Sequence, residues 1–445
     1  MFIVNSILGF AIVLSHLIEE INGLKRNQSE SITLNSVYIV MRHGDRTPTH
    51  FYPNDPFESM QSKIWPEGLG QLNKQGKIRS RTAGNLYKQI YEDFLIGKQS
   101  RTLLCWSSPR QRTIDTAKLF MKSFLKDSEI DFQILIDEKL LSTSFKCPKA
   151  DQIWRNYLSS ERVRHYRESK KEFIEYLETK TGENYLENEI ETLRKIEFLT
   201  TTLEIERDEY GLQVEDWIRN RTVIDSLDDI KNHAFLFDWQ SPKIQKLRIG
   251  YLLERISKAI LLHKSKTFTE NNGFYLFSTH DVVQVILLQA LGVYDQIGTK
   301  PPSYASAIVF EYYQQNSDEI ERDSSEKKIH SNKKDLIRIL YREILNNNQT
   351  SEFFIKEKQL IIDQCRYESI AINLTDNSQS KSLNLCPMEN FLKAIDEYCL
   401  TEKNLIETCN SSERIAISFS LHLSLYICLI ILSFTSLNRI KFMLT

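Results

Sequence analysis

The apolar run Val37 to Met41 breaks at once into a knot of charge, Arg42-His43-Gly44-Asp45-Arg46. A run this free of polar side chains, without alternation, predicts a strand covered on both faces, as in the parallel sheet of an α/β protein. The period then changes. Between Gly68 and Phe94 the apolar positions Ile78, Ala83, Leu86, Ile90 and Phe94 follow helical spacing. Arg101 to Ser107 reads as a second strand and Thr113 to Phe124 as a second helix, the rhythm of βαβ units. From about Asp151 to Leu262 the chain is dense in Glu, Lys, Arg and Tyr at helical spacing, which predicts a mostly helical insertion whose aromatic residues form its own core. Phe274 to Phe277 returns to the sheet, and Val282 to Leu291 is the helix that follows. Residues 314–333 are polar and charged without periodicity, predicting a solvated surface loop, before Leu336 to Tyr341 resumes an alternating strand. The expected fold is α/β: a central, mostly parallel sheet flanked by helices, with a mostly helical inserted subdomain. There is no internal repeat.

The two ends change this picture. Phe2 to Leu17 is largely apolar and is followed by Glu19 and Glu20, which reads as a secretory signal peptide over about residues 1–18. Ile415 to Leu437 is 23 residues without a formal charge, bounded by Arg414, Arg439 and Lys441. At helical rise it spans roughly 34 Å, enough to cross a bilayer. A lipid-anchor signal is the competing account, since Asn410-Ser411-Ser412 offers small residues. Its polar spacer is too short and the tail ends in charge. A single span is favoured, leaving residues 438–445 as a short cytoplasmic tail, as the positive-inside rule prefers. Chain topology is then type I, with the folded part luminal or extracellular.

Cysteine usage agrees with an oxidising compartment. Six cysteines (Cys105, Cys147, Cys365, Cys386, Cys399 and Cys409) lie between the apolar ends and show no zinc-like spacing; Cys428 lies within the proposed span. Sequons at Asn27, Asn220, Asn348, Asn373 and Asn410 are candidate glycosylation sites. The net charge of −2 gives no electrostatic reason to propose nucleic acid as a partner. Neither monomer nor homodimer is excluded.

The chemistry concentrates at two strand ends. In an open α/β sheet, ligands bind outside the carboxyl ends of the strands, where Arg42 to Arg46 falls. Two arginines flanking one histidine would repel and depress its pKa unless an anion sat among them, and phosphate suits the planar guanidinium fork. Gly44 is expected to let the backbone come close to that anion. Ser278-Thr279-His280-Asp281 occupies the same kind of edge after the later strand. Asp281 could be a helix N-cap, or the proton source for a leaving group.

The segments "MRHGDRTP" (41–48), "WPEGLGQLNKQG" (65–76), "FSTHD" (277–281) and "LGVYDQIGTKPPSYASAIVFEYY" (291–313) resemble the histidine acid phosphatases, in the branch of the lysosomal and prostatic enzymes. The resemblance covers about residues 36–410, least clearly in the insertion at 151–262. It implies that His43 is the nucleophile, forming a phosphohistidine; that Arg42, Arg46 and His280 hold the phosphoryl oxygens; and that Asp281 protonates the departing alkoxide. It implies a phosphate-monoester substrate and neither metal nor cofactor. It also implies disulfides Cys147 to Cys409 and Cys365 to Cys386, with no counterpart for Cys105 and Cys399.

One departure stands out. The family has a third phosphate-binding arginine at the head of an "RSTDVDRT"-like motif; here the stretch is "WSSPRQRT" (106–113), which aligns Trp106 with that arginine. An indole in the phosphate shell would weaken catalysis, with Arg110 as a partial substitute. The alternative reading is therefore a catalytically weakened membrane glycoprotein that binds phosphate-bearing ligands. A mutase of the wider superfamily is opposed by the secretory ends and the His-Asp pair. Lysosome and cell surface both fit. Substrate identity is not readable, because the pocket is expected to be built by the insertion and the 49–65 loop.

Overall fold

The apolar run around Val37 is the buried half of β1 (Ser31–Arg42), with Val37 to Met41 wholly inaccessible. The computed structural model describes residues 31–95, 103–126, 132–265, 273–322, 327–347, 352–366, 370–376 and 379–410. After β1 come α1 (Lys74–Leu95), β2 (Leu103–Ser107), α2 (Gln111–Phe124) and a short β3 (Ile134–Ile136). Helices then fill the chain: α3 (Pro148–Leu158), α4 (Glu161–Ser169), α5 (Lys171–Thr181), α6 (Thr192–Glu204), α7 (Arg221–Trp239) and α8 (Pro242–Ser265). The sheet resumes with β4 (Phe274–Thr279), followed by α9 (Asp281–Ala290), then β5 (Ala307–Arg322), β6 (Lys327–Asn346) and β7 (Phe353–Leu360). Two further strands, β8 (Ile370–Asp376) and β9 (Gln379–Pro387), lead into α10 (Met388–Ile395).

The sheet runs β3-β2-β4-β1-β5-β6-β9-β8, with β7 on β6. β3, β2, β4 and β1 are parallel, and β5 onward is antiparallel. Arg42 pairs with Thr279 and Ser107 with Ser278, so three parallel strands end at one level and their following loops meet at one edge. Period-two alternation splits β1 between two cores. Val37, Ile39 and Met41 join Ala83, Tyr87 and Phe120 of α1 and α2, while Tyr38 and Val40 join Ile256 and Ile286 of α8 and α9. The helical insertion has a core of its own, in which Ile174, Leu199 and Leu227 pack with Tyr52, Phe57 and Trp65 of the loop after β1.

Within the polar stretch 314–333, residues 314–322 and 327–333 are strand rather than loop. Pairing between β5 and β6 continues from Ala307↔Arg342 out to Arg322↔Lys327, a long antiparallel ribbon. A ladder of backbone hydrogen bonds needs no apolar face once its register is set by the buried pairs at its root, such as Val309↔Leu340, so periodicity alone did not reveal it.

Disulfides join Cys147 to Cys409 and Cys365 to Cys386, the pairs the family resemblance implies; Cys105 is a buried free thiol and Cys399 a half-buried one. Of the sequons, Asn220 and Asn410 are exposed and Asn373 falls in β8, whereas Asn27 and Asn348 lie outside the described residues. The signal segment 1–18, the apolar segment 415–437 and Cys428 also lie outside them. Among the described residues no helix is long and apolar enough to cross a membrane.

Candidate active site

His43 leaves the end of β1 and is only 2% exposed. Its Nδ1 lies 2.8 Å from the Gly44 carbonyl oxygen, which can only accept, so Nδ1 carries the proton and Nε2 the lone pair. Burial, then the charges of Arg112 and Arg42, hold the imidazole well below its ordinary pKa. Burial and these charges favour the neutral imidazole, with the Nε2 lone pair free.

The turn after β1 is clamped from α1. Asp45 accepts two hydrogen bonds from Arg79, at 2.7 and 2.9 Å, and Arg79 also donates to the Ile344 carbonyl. A Cβ on Gly44 would stand 2.7 Å from the Gly76 carbonyl oxygen and 2.8 Å from Ser80 Oγ, and one on Gly76 would stand 2.0 Å from the Asp45 carbonyl oxygen. Gly44 therefore serves close packing of the turn on α1; this replaces the expectation that it makes room for an anion. Neither Arg79 nor Gly76 was singled out from sequence, since their partners are distant along the chain.

Arg42 donates to Asp281 at 2.8 Å and to the Pro302 carbonyl, and its guanidinium lies 4.1 Å from the centre of the Tyr304 ring. Asp281 is the first residue of α9 rather than its cap, which is His280. Its Oδ1 accepts from the Val282 N–H at 2.8 Å. Burial would raise its pKa, but Arg42 foremost, with His280 and Arg46, holds it below the ordinary carboxylate value. His280 sits between Ser108 Oγ, 2.9 Å from Nε2, and Arg112, 3.5 Å from Nδ1. Burial and Arg112 push its pKa down to about 3, so it is a neutral hydrogen-bonding group.

A further arginine, Arg112 in the first turn of α2, reaches the cavity where the aligned Trp106 does not. Trp106 lies within β2, 5% exposed, stacked on Phe277 with ring centres 5.2 Å apart and on Tyr275 at 6.1 Å, with Arg255 across its face. Strand parity sends its side chain into the layer under α8, while the residues after Ser107 turn over the sheet edge. Arg112 lines the same cavity as His43, Arg46 and His280, and burial followed by Arg46 lowers its pKa to about 10. The position was legible: it follows a parallel strand's carboxyl end, just as Arg46 does. The premise of the weakened reading, an indole in the phosphate shell, is not met. Arg110 is exposed at the cavity mouth.

That cavity is about 610 Å³, far larger than a phosphate needs. Thr49 and His50 of the 49–65 loop and Arg194, Glu197, Phe198 and Asp238 of the insertion form the wall opposite His43, as anticipated for the segments that would shape the pocket. Burial, with the neighbouring Asp281, pushes Glu197 up to about 7, and burial pushes Asp238 up to about 6. In acid the wall is cationic and otherwise neutral. Among the described residues no cluster of His, Cys, Asp and Glu is arranged to hold a metal ion.

Several solved structures share this fold. Phytase from Hafnia alvei in its apo form superposes with a TM-score of 0.57 at 14% identity, covering 83% of this chain and 97% of that one. Phytase from Citrobacter braakii gives 0.55 at 16% identity, over 83% and 98%. In sequence, rat lysosomal acid phosphatase is 28% identical over 304 residues, 64% of this chain and 68% of that protein. Mouse testicular acid phosphatase is 29% identical over 299 residues, 62% and 67%. The family model described as histidine phosphatase superfamily (branch 2) matches residues 33–342, which take in His43, Arg112, His280 and Asp281. With that match spanning most of its length, the chain belongs to branch 2 of the histidine phosphatase superfamily.

Proposed function

We propose that this phosphoric monoester hydrolase acts through a phosphohistidine on His43, as an acid phosphatase. The observation that carries the reading is the Nδ1 hydrogen bond to the Gly44 carbonyl, which leaves Nε2 unprotonated in a pocket of guanidinium groups. Nε2 attacks phosphorus as the bond to the leaving oxygen breaks, and Asp281, once protonated, gives its proton to that oxygen. Arg46, Arg112 and His280 hold the phosphoryl oxygens, joined by Arg42 when it leaves Asp281. Water then attacks the phosphohistidine, Asp281 takes the water's proton, and phosphate departs with His43 restored. The cationic side chains do the electrostatic part of the work, so no metal or cofactor enters this scheme.

The place of action is the lumen of an acidic compartment or the cell surface, with residues 415–437 as a single membrane anchor. The relatives carrying the name lysosomal acid phosphatase, the disulfides and the exposed sequons at Asn220 and Asn410 support this. Rapid quenching of the purified chain with a labelled aryl phosphate at acid pH tests the mechanism. Acid-labile, base-stable phosphate on His43, absent in His43→Ala, is expected; label on a serine or aspartate would overturn it.

A further inference from the structure

Asp281 presents a problem that the reading above leaves open: a carboxylate ion-paired with Arg42 at 2.8 Å is ionised, and must acquire the proton it donates. The structure places a candidate source beside it. A second cavity, of about 270 Å³, lies behind the first. Arg42 opens onto this rear cavity, whereas His43 opens onto the front one. Among the described residues, only Glu197, Phe235 and Asp281 line both. Glu197 and Asp281 are thus the two ionisable side chains in the partition, on α6 and at the start of α9. Phe235 is the apolar remainder of it.

We propose that Glu197 relays a proton between the rear cavity and Asp281, acting through Asp281 and never on the substrate itself; this rests on the reading of Asp281 as the proton donor. As phosphate draws Arg42 away, the Asp281 carboxylate takes a proton from the Glu197 carboxyl, directly or through one water. Asp281 passes it to the leaving oxygen, and Glu197 recovers one from the rear cavity. In the second half-reaction the proton that Asp281 takes from water returns by the same path.

The charged groups around Glu197 suit the task. Asp281 and its preceding cap His280 line these cavities with it at the start of α9, Arg42 and Arg46 at and just after the end of β1, and Asp228, Lys231 and Asp238 on α7. Arg194 and Glu204 belong to its own helix; Glu209 and Lys300 line the far side of the rear cavity. Glu209 also has a pKa raised to about 7, but it touches the rear cavity alone and accepts a hydrogen bond from Asn73 at 3.2 Å. Glu197 accepts one from Thr201 at 3.2 Å, which favours its ionised form. With a pKa of about 7, Glu197 holds its proton through the acid range and loses it above neutrality.

The test is the pH dependence of kcat on an alkyl and an aryl phosphate. In the wild type, alkyl turnover should fall above about pH 7, where Glu197 ionises. Glu197→Gln should lower alkyl turnover on the order of tenfold and abolish that limb, with aryl turnover nearly unchanged. Thr201→Val, which removes a hydrogen bond without touching the carboxyl, should move the limb to higher pH. A limb at the same pH in all three proteins, or equal losses on both substrates, would overturn the relay. Asp281→Asn in parallel keeps the two ideas separate: if it slows alkyl and aryl phosphates equally, the fault lies in the role of Asp281. If it is selective while Glu197→Gln is silent, the fault lies in the relay.

Discussion

Arg42 Nη2 and Asp281 Oδ2, brought together from the ends of neighbouring parallel strands, lie 2.8 Å apart, Asp281 lining both cavities and Arg42 the rear one. An anion binding at Arg42 must compete with this pair. As the guanidinium turns to phosphate, the main influence depressing the Asp281 pKa is removed, and the carboxylate takes up a proton. Titrating inorganic phosphate calorimetrically near pH 5, in buffers of different ionisation enthalpy, should show uptake of up to about one proton. Asp281→Asn should abolish that uptake.

Trp106 and Arg112 separate the two alignments of the arginine motif. Trp106→Arg would place a charge in the aromatic stack with Tyr275 and Phe277, beside Arg255, and should destabilise the fold by at least about 3–5 kcal/mol with no gain in rate. Arg112→Ala should leave the fold largely intact and lower kcat on the order of 10²–10³-fold. Urea unfolding and steady-state rates on the same preparations distinguish these outcomes. A faster Trp106→Arg enzyme would restore the indole to the phosphate shell.

The clamp beneath His43 is also open to test. Arg79→Ala leaves the Asp45 carboxylate, 5% exposed, without its bidentate partner, and should cost about 3–5 kcal/mol. Because the turn carrying His43 and Arg46 is held by this pair, kcat should fall as well under conditions where the variant remains folded. Stability unchanged within about 0.5 kcal/mol would show that α1 holds the turn by glycine packing alone.

Glu206 and Asp55 share the interior between the insertion and the 49–65 loop. Glu206 is wholly buried, and burial followed by Asp55 raises its pKa to about 9. The folded state therefore binds a proton that the unfolded state releases near pH 4.5, the ordinary value for a glutamate. Stability from this group is complete below that pH and is lost as pH rises from about 4.5 to about 9. Melting should occur several degrees lower at pH 8 than at pH 5. Glu206→Gln, whose side chain does not titrate, should flatten the dependence.

Much of this was written locally. The unbroken apolar run of β1 announces a strand covered on both faces, and charge crowding directly after it marks a ligand edge, because both effects act over a few neighbouring residues. His43, Arg46, His280 and Asp281 were legible for that reason. The destination of Trp106 was not. It depends on which face of β2 its parity presents and on which helix covers that face, and both are settled only when β2 pairs with β4. The ribbon of β5 and β6 escaped notice because its polar outer residues pair through the backbone, which leaves no apolar period to read. The Asp45–Arg79 clamp joins residues 34 positions apart, and Glu197 shares two cavities with Asp281, 84 positions away. Sequence set the chemistry at the strand ends; which side chains share a cavity was decided by long-range packing alone.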